Sequence, residues 1–422
     1  MMKSDALLAA ARELDAADPL AGFRDRFLEA DGVSSYLDGN SLGRPLRASA
    51  AHLQDFVQVQ WGTRLIRGWD EQWLELPQQL GDALGAAVLG AAAGQCIVAD
   101  STTVLLYKLA RAAVAARPGR TEIVLDTDNF PTDRYVLEGI ANECGLTLRW
   151  IAADYDGGVS ADAVAQAVGP QTALAVFSHV AYRSGFLADA AAITAAVHDA
   201  GGLVLWDLCH SAGAVPAQLD AWDVDYAVGC SYKYLNGGPG APAWAYVARR
   251  HQETFTQPIQ GWLGSADPFG MAQGYTPAAG IRRLVSGTPP VLGMLPLRDM
   301  VALLAEAGID AVRTKSVALT EYALAAVDTL LAPHGVVLAS PRAAERRGSH
   351  ITIDHPSFQA VTAALWKQGV IPDYRNPSGI RLGLSPLSTS FEETFTGIAA
   401  VSAELRRQPA ESPRRTEARP VR

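Results

Sequence analysis

Apolar runs that end in polar residues, each followed by an amphipathic stretch, set the architecture open to this 422-residue chain. "CIVAD" precedes "STTVLLYKLARAAVAA", "TEIVLDT" precedes "PTDRYVLEGIANECG", and "TALAVFSHV" precedes "ADAAAITAAVHDAGG". "LVLWDLCH" and "VDYAVGCSYKYL" follow. A strand that is apolar at successive positions is covered on both faces, and crossover helices supply that cover. The pattern predicts an α/β fold, a mostly parallel sheet flanked by helices. With 49% hydrophobic residues, the chain has enough apolar material for a core of that size. Ligands in such sheets bind beyond the carboxyl ends of the strands, which is where this chain places its polar residues.

Past Pro290 the pattern changes. A helical segment near 292–330 gives way to "GVVLAS", "GSHITIDH", a helix near 357–368 and "GIRLGLSPL". This mixture predicts a smaller C-terminal α+β domain. The expected division is an N-terminal helical segment and arm over 1–60, a large domain over 61–290 and a small domain over 291–405. A polar tail with prolines and arginines, 406–422, is expected to be disordered. The first helix is expected to be capped by Ser4. A net charge of −9 argues against nucleic acid or an anionic membrane as partner. No run approaches the roughly 18 apolar residues of a membrane span, and acids interrupt any secretory pattern at the N-terminus. Cys96, Cys144, Cys209 and Cys230 lie in apolar contexts without metal spacing, so they read as reduced core thiols and no metal is expected. The expectation is a cytoplasmic globular protein.

The chain carries five lysines, Lys3, Lys108, Lys233, Lys315 and Lys367, among 35 basic residues. One of them sits in "GCSYKYLNGGPG", an aromatic and small-residue surround that would desolvate the ammonium and expose a nucleophilic amine. Asp207 ends the run "LVLWD", where a carboxylate needs a partner, and His210 follows three positions on. In "ADSTTV", Ser101 is a natural cap, and hydroxyls at a helix start suit a phosphate. No GxGxxG or GxxxxGK[ST] occurs at such a junction, which disfavours a dinucleotide or nucleoside triphosphate. "DNFPTDRY" brings Phe130 and Asp133 around a proline turn, an aromatic beside a carboxylate. Together these are the groups that pyridoxal phosphate requires: an amine, a carboxylate for the ring nitrogen, a stacking ring and a phosphate seat.

On these residues the chain resembles the kynureninases, within the aspartate-aminotransferase-like fold type I of PLP-dependent transferase-like enzymes. The resemblance runs from about residue 33 to about 400. Its motifs are "YLDGNSLG", "FPTDRY", "WDLCHSAGAVP", "GCSYKYLNGGPGAP", "QGWLG", "SGTPP" and "RNPSGIRLG". It implies that Lys233 forms the Schiff base, with Asp207 on the pyridine nitrogen assisted by Asp133. Phe130 would stack on the ring in the turn that includes Pro131 and Thr132, with His210 and Ser178 nearby. Thr102, Thr103 and Tyr232 would hold phosphate, joined by Trp262 and Thr288 across the interface of a homodimer. Arg381 would clamp the substrate carboxylate, a bidentate task suited to arginine. Tyr232 is the candidate acid/base, its pKa lowered by a cationic neighbour. The implied reaction is hydrolytic Cβ–Cγ cleavage of L-kynurenine, or its 3-hydroxy form, to an anthranilate and L-alanine, within tryptophan catabolism, the kynurenine pathway and NAD biosynthesis. Leu105 and Ala181 stand where asparagines are expected, and Ser388 where an aromatic is usual. The competing readings are an aminotransferase of the same fold acting on an aromatic amino acid, a cysteine desulfurase and a non-catalytic binding protein. The desulfurase would need a nucleophilic cysteine late in the chain, and none follows Cys230.

Overall fold

The structure, a computed structural model, describes residues 2–271 and 273–407. The tail expected over 406–422 therefore lies, beyond Arg407, outside the described residues. The strands among them are β1 (Ser35–Leu37), β2 (Cys96–Ala99), β3 (Glu122–Asp126), β4 (Thr147–Ile151), β5 (Thr172–Ser178) and β6 (Leu203–Asp207). Then follow β7 (Tyr226–Gly229), β8 (Ala243–Val247), β9 (Val337–Leu338), β10 (His350–Asp354), β11 (Val370–Arg375) and β12 (Gly379–Gly383).

A seven-stranded sheet runs in the order β2-β8-β7-β6-β5-β3-β4. Strands β3 to β7 pair in parallel, whereas β8 is antiparallel to both β2 and β7. The exception has a local cause: between β7 and β8 the chain turns through "NGGPG" with no crossover helix, so it must return in the opposite sense. The apolar runs divide residue by residue between two faces. In β6, Leu203 and Leu205 join one buried cluster, while Val204 and Trp206 join the other. Helices such as Thr102–Ala115 and Pro131–Cys144 cover one side and Ala190–Asp199 the other. This is the α/β architecture the sequence pattern predicts.

The smaller sheet has the order β1-β11-β12-β10-β9. Its edge comes from the N-terminal arm: β1 pairs in parallel with β11, Ser35 opposite Val370. The segment read as one helical stretch near 292–330 is two helices, Val291–Ala307 and Ile309–Leu330, broken at Gly308, whose φ of +77° a side chain would resist. The first helix begins at Met2, so Ser4 lies inside its first turn and is not the cap. Four strands went unread: β1, three residues of the arm; β4, an edge strand with Trp150 40% exposed; β8; and β11, whose Pro372 and charges mask its pattern. No described helix is long and apolar enough to cross a membrane.

Candidate active site

The polar residues converge beyond the carboxyl ends of β5, β6 and β7. Ser178 and Asp207 are register partners at the last positions of β5 and β6. Lys233 follows β7, buried at 7% exposure, and its Nζ lies 3.2 Å from His210 Nε2. The same Nζ stands 5.6 Å from the Phe130 ring centre and 5.9 Å from that of Tyr232. Burial and the nearby Lys233 and Arg381 push His210 well below its ordinary value. The imidazole is therefore neutral, with Nε2 as acceptor toward Lys233 and its proton on Nδ1.

Asp133 and Asp207 form a buried carboxyl pair, 1% and 5% exposed. Asp207 Oδ1 accepts the Cys209 amide at 2.6 Å. Burial, and then Asp207 facing it, hold the Asp133 carboxyl well above the usual range. Asp133 Oδ2 has no hydrogen-bond partner although it is buried. Such an atom is costly unless a donor meets it. Asp133 is held there by the helix Pro131–Cys144, with Phe130 at the N-cap and Pro131 and Thr132 in the first turn. Asn129 fixes the entry: its Oδ1 accepts the Phe130 amide at 2.8 Å and the Ser178 hydroxyl at 3.0 Å. Phe130 packs edge-on against Tyr182, centres 5.4 Å apart.

At the neighbouring helix start, Ser101 caps Thr102–Ala115 by accepting the Val104 amide at 3.4 Å. Thr102 is half-buried and Thr103 exposed, and the first-turn amides beside them point out of the helix.

Arg381, on β12 and 1% exposed, reaches the site from the small sheet. Its Nε donates to Asp373 Oδ2 at 2.6 Å, Nη2 to Ser41 Oγ at 2.9 Å, and Nη1 to the Tyr182 carbonyl at 2.7 Å. Nη2 also pairs with Asp373. The most weakly held donor, on Nη1, faces His210 Nε2 at 3.5 Å. This narrows the expected bidentate clamp: one edge of the guanidinium is already committed to the protein.

The sequence reasoning missed Asn129, Asp373, Ser41 and Tyr182. Asp373 is invisible there because its role depends on the antiparallel register that sets it opposite Arg381. Ser41 was within reach, lying inside the motif "YLDGNSLG", whose Gly43 amide donates to the Tyr232 carbonyl at 2.9 Å. The lowered phenol expected at Tyr232 is not met: burial, and then the thiols of Cys230 and Cys209, raise it. Leu105 is wholly buried in the core. Ala181 packs on the other cluster, and Ser388 borders a polar hollow with Arg44 and Glu393. Trp262 and Thr288 stand apart at the surface. Trp262 is 44% exposed against Phe269, and Thr288 borders an apolar hollow of about 720 Å³ with Trp61, Trp69 and Trp73.

A doubly covered sheet carrying a buried lysine and a carboxyl pair at its strand ends, with a second small sheet supplying an arginine, defines a class: the fold-type-I, PLP-dependent transferase-like enzymes. Solved structures agree on the fold. A cysteine desulfurase from Thermococcus onnurineus NA1 superposes with TM-score 0.77 at 16% identity, covering 89% of this chain and 95% of that one. The cystine C-S lyase C-DES, in complex with cysteine persulfide, gives TM-score 0.76 at 20% identity over 87% and 97%. Curated relatives narrow the class. The kynureninase of Pseudomonas fluorescens is 39% identical over 402 residues, 94% of each chain. That of Burkholderia pseudomallei (strain 1106a) is 41% identical over 392 residues, 91% of this chain and 92% of the relative. The family model for the kynureninase C-terminal domain matches residues 312–401. The chain belongs to the kynureninase family.

Proposed function

We propose that this chain is a pyridoxal-phosphate-dependent hydrolase that adds water across the Cβ–Cγ bond of L-kynurenine, or its 3-hydroxy form, and releases an anthranilate and L-alanine. The observation that carries the reading is the buried group of Lys233, His210, Asp133 and Asp207, with Arg381 reaching in from the second sheet, in a chain of this family. The residues fit the cofactor: Asp133 Oδ2 is a buried acceptor without a donor, and a protonated ring nitrogen is one. When bound, the cofactor supplies an electron-withdrawing ring joined to the substrate amine.

The chain's own groups do the remainder. Asp207, with Asp133, keeps a proton on the ring nitrogen. Thr102, Thr103 and the helix amides would hold its phosphate, and Phe130, Ser178 and Thr132 would hold its ring. Arg381 offers Nη1 to the α-carboxylate, which fixes the substrate about its Cα. Lys233 Nζ takes the α-proton, with neutral His210 as its hydrogen-bond acceptor. Tyr232, kept a phenol by burial, donates its O–H to the γ-carbonyl as water attacks. Within a tryptophan-degrading route an aminotransferase remains the rival reading, but no observation favours it.

We extend the reading to a cytoplasmic homodimer with a large domain over 61–290 and a small domain over 291–405. The exposed Trp262 and Thr288 and the apolar hollow beside Thr288 support the dimer: an indole N–H and a hydroxyl are apt donors for a partner's phosphate. Purified enzyme should release anthranilate and alanine in equal amounts from L-kynurenine, or their 3-hydroxy counterpart, and no release from either substrate rejects the activity. For the shared site, Lys233→Ala protein is mixed with the Trp262→Ala, Thr288→Ala protein under subunit exchange. Activity should reappear in hybrids. Demonstrated exchange without recovery means each subunit builds its own site.

A further inference from the structure

Outside the site, one buried charge stands where the cofactor seat meets the segments that face outward. Lys108, on the helix Thr102–Ala115, is fully buried. Its Nζ donates to Asp100 Oδ2 at 2.5 Å, to the Leu284 carbonyl at 2.7 Å and to Ser286 Oγ. An ammonium has three N–H donors, and all three are used. Asp100 sits at φ +46°, a left-handed conformation uncommon for a residue with a side chain, immediately before the cap Ser101. The ion therefore fixes the turn that delivers Thr102 and Thr103. Ser286 lies two residues before Thr288. It also supports the neighbouring loop, because a Cβ at Gly261 would overlap the Ser286 backbone, so the chain beside Trp262 rests directly on it.

We propose that Lys108 is a positioning residue that sets two phosphate contacts at once: the seat of its own subunit and the Trp262–Thr288 pair presented to the partner. This rests on the shared-site reading above. One ammonium couples the two, since it pairs with Asp100 on one side and donates to Ser286 on the other. Burying a lysine among three oxygens is costly, and a polar residue could hold a loop more simply. The cation holds both sides in one geometry.

The test uses Lys108→Met, which keeps the stem and removes the charge. Asp100 keeps 27% side-chain exposure, so its carboxylate can turn to water and the variant should fold. Affinity of apoenzyme is measured by absorbance for two probes, pyridoxal phosphate and pyridoxal. The phosphate ester should bind about 10- to 100-fold more weakly, the range for losing a charge-assisted contact, while pyridoxal is unchanged. Equal losses for both probes reject a role through phosphate. Two hybrids then separate the sides, each with one live Lys233. In one, the live chain carries Lys108→Met; in the other, only its Lys233→Ala partner does. Both should bind pyridoxal phosphate more weakly than a hybrid with Lys108 intact in both chains. An unaffected second hybrid rejects the link to the partner. Ser286→Ala, which leaves no buried charge unpaired, should reproduce the loss when placed in the partner chain, and normal binding there also overturns the proposal. Should the Trp262, Thr288 complementation itself fail, the shared site falls, and that outcome is separate from these.

Discussion

Two buried aspartate sites on one sheet solve the same physical problem in opposite ways. Asp225, beside the start of β7 and 1% exposed, accepts from the Val204 amide at 2.8 Å, His198 Nε2 at 2.8 Å, His251 Nε2 at 2.6 Å and Arg250 Nη2 at 2.6 Å. Burial pushes its carboxyl up, but these donors outweigh burial and leave it below the usual range. Asp207, at the end of β6, and Asp133, in the first turn of the helix Pro131–Cys144, have no such set. Burial raises Asp133, Asp207 raises it further, and an oxygen is left over. A charge with every acceptor filled has nothing to offer a ligand. An incomplete pair in the same sheet does, and that difference separates scaffold from site.

The contrast can be broken most severely at Lys233. Lys233→Ala should remove turnover by at least about 10⁴-fold and abolish any borohydride-reducible adduct with the cofactor, with melting unchanged to within a few degrees. A variant that still turns over rules the amine out as the reacting group. Asp207→Asn should lower kcat on the order of 10²–10³-fold, the range for one lost preorganised electrostatic contact, and leave stability nearly intact. Asp225→Asn should do the reverse. Removing one partner of a buried charge cluster costs about 3–5 kcal/mol in denaturant unfolding, while kcat per folded enzyme stays near that of the parent. If Asp225→Asn inactivates without destabilising, the division drawn above is wrong.

The smallest effect is on pH. The Asp225 hydrogen bond raises His198, although partial burial opposes it. A histidine raised on folding contributes stability that is complete below about pH 6.5 and lost as pH climbs through the folded value. Asp225 is lowered, so its contribution holds above about pH 3.9 and fades as acid protonates it. The melting difference between the parent and His198→Gln should therefore be largest near pH 6 and shrink toward pH 9. A difference that does not change over that range means the imidazole carries no extra proton in the folded state.

Much of this was legible in the residues. Asp207 and Lys233 each close an apolar run, and position at a strand end is a local property that a sequence displays. The Asp225 cluster was not legible, because His198, Asp225 and Arg250 come from three separate elements that meet only when the sheet forms. The same holds for Asp373, whose pairing with Arg381 is a matter of register. Tyr232 failed for another reason: adjacency to a lysine in sequence suggested a cationic influence, whereas burial and two thiols dominate. The antiparallel β8 was likewise hidden, since its composition matches that of its parallel neighbours.

The pairing of Ser35 with Val370 bears on the order of assembly. Synthesis runs from the N-terminus, so β1 and the adjoining Ser41 emerge first and find their strand partner only after more than three hundred further residues have been made. The seven-stranded sheet closes earlier, from segments nearer to one another, and loop closure over so long a span is slow. Arg381 thus meets Ser41 only after nearly the whole chain has been made, whereas Asp133, Asp207 and Lys233 are by then already present.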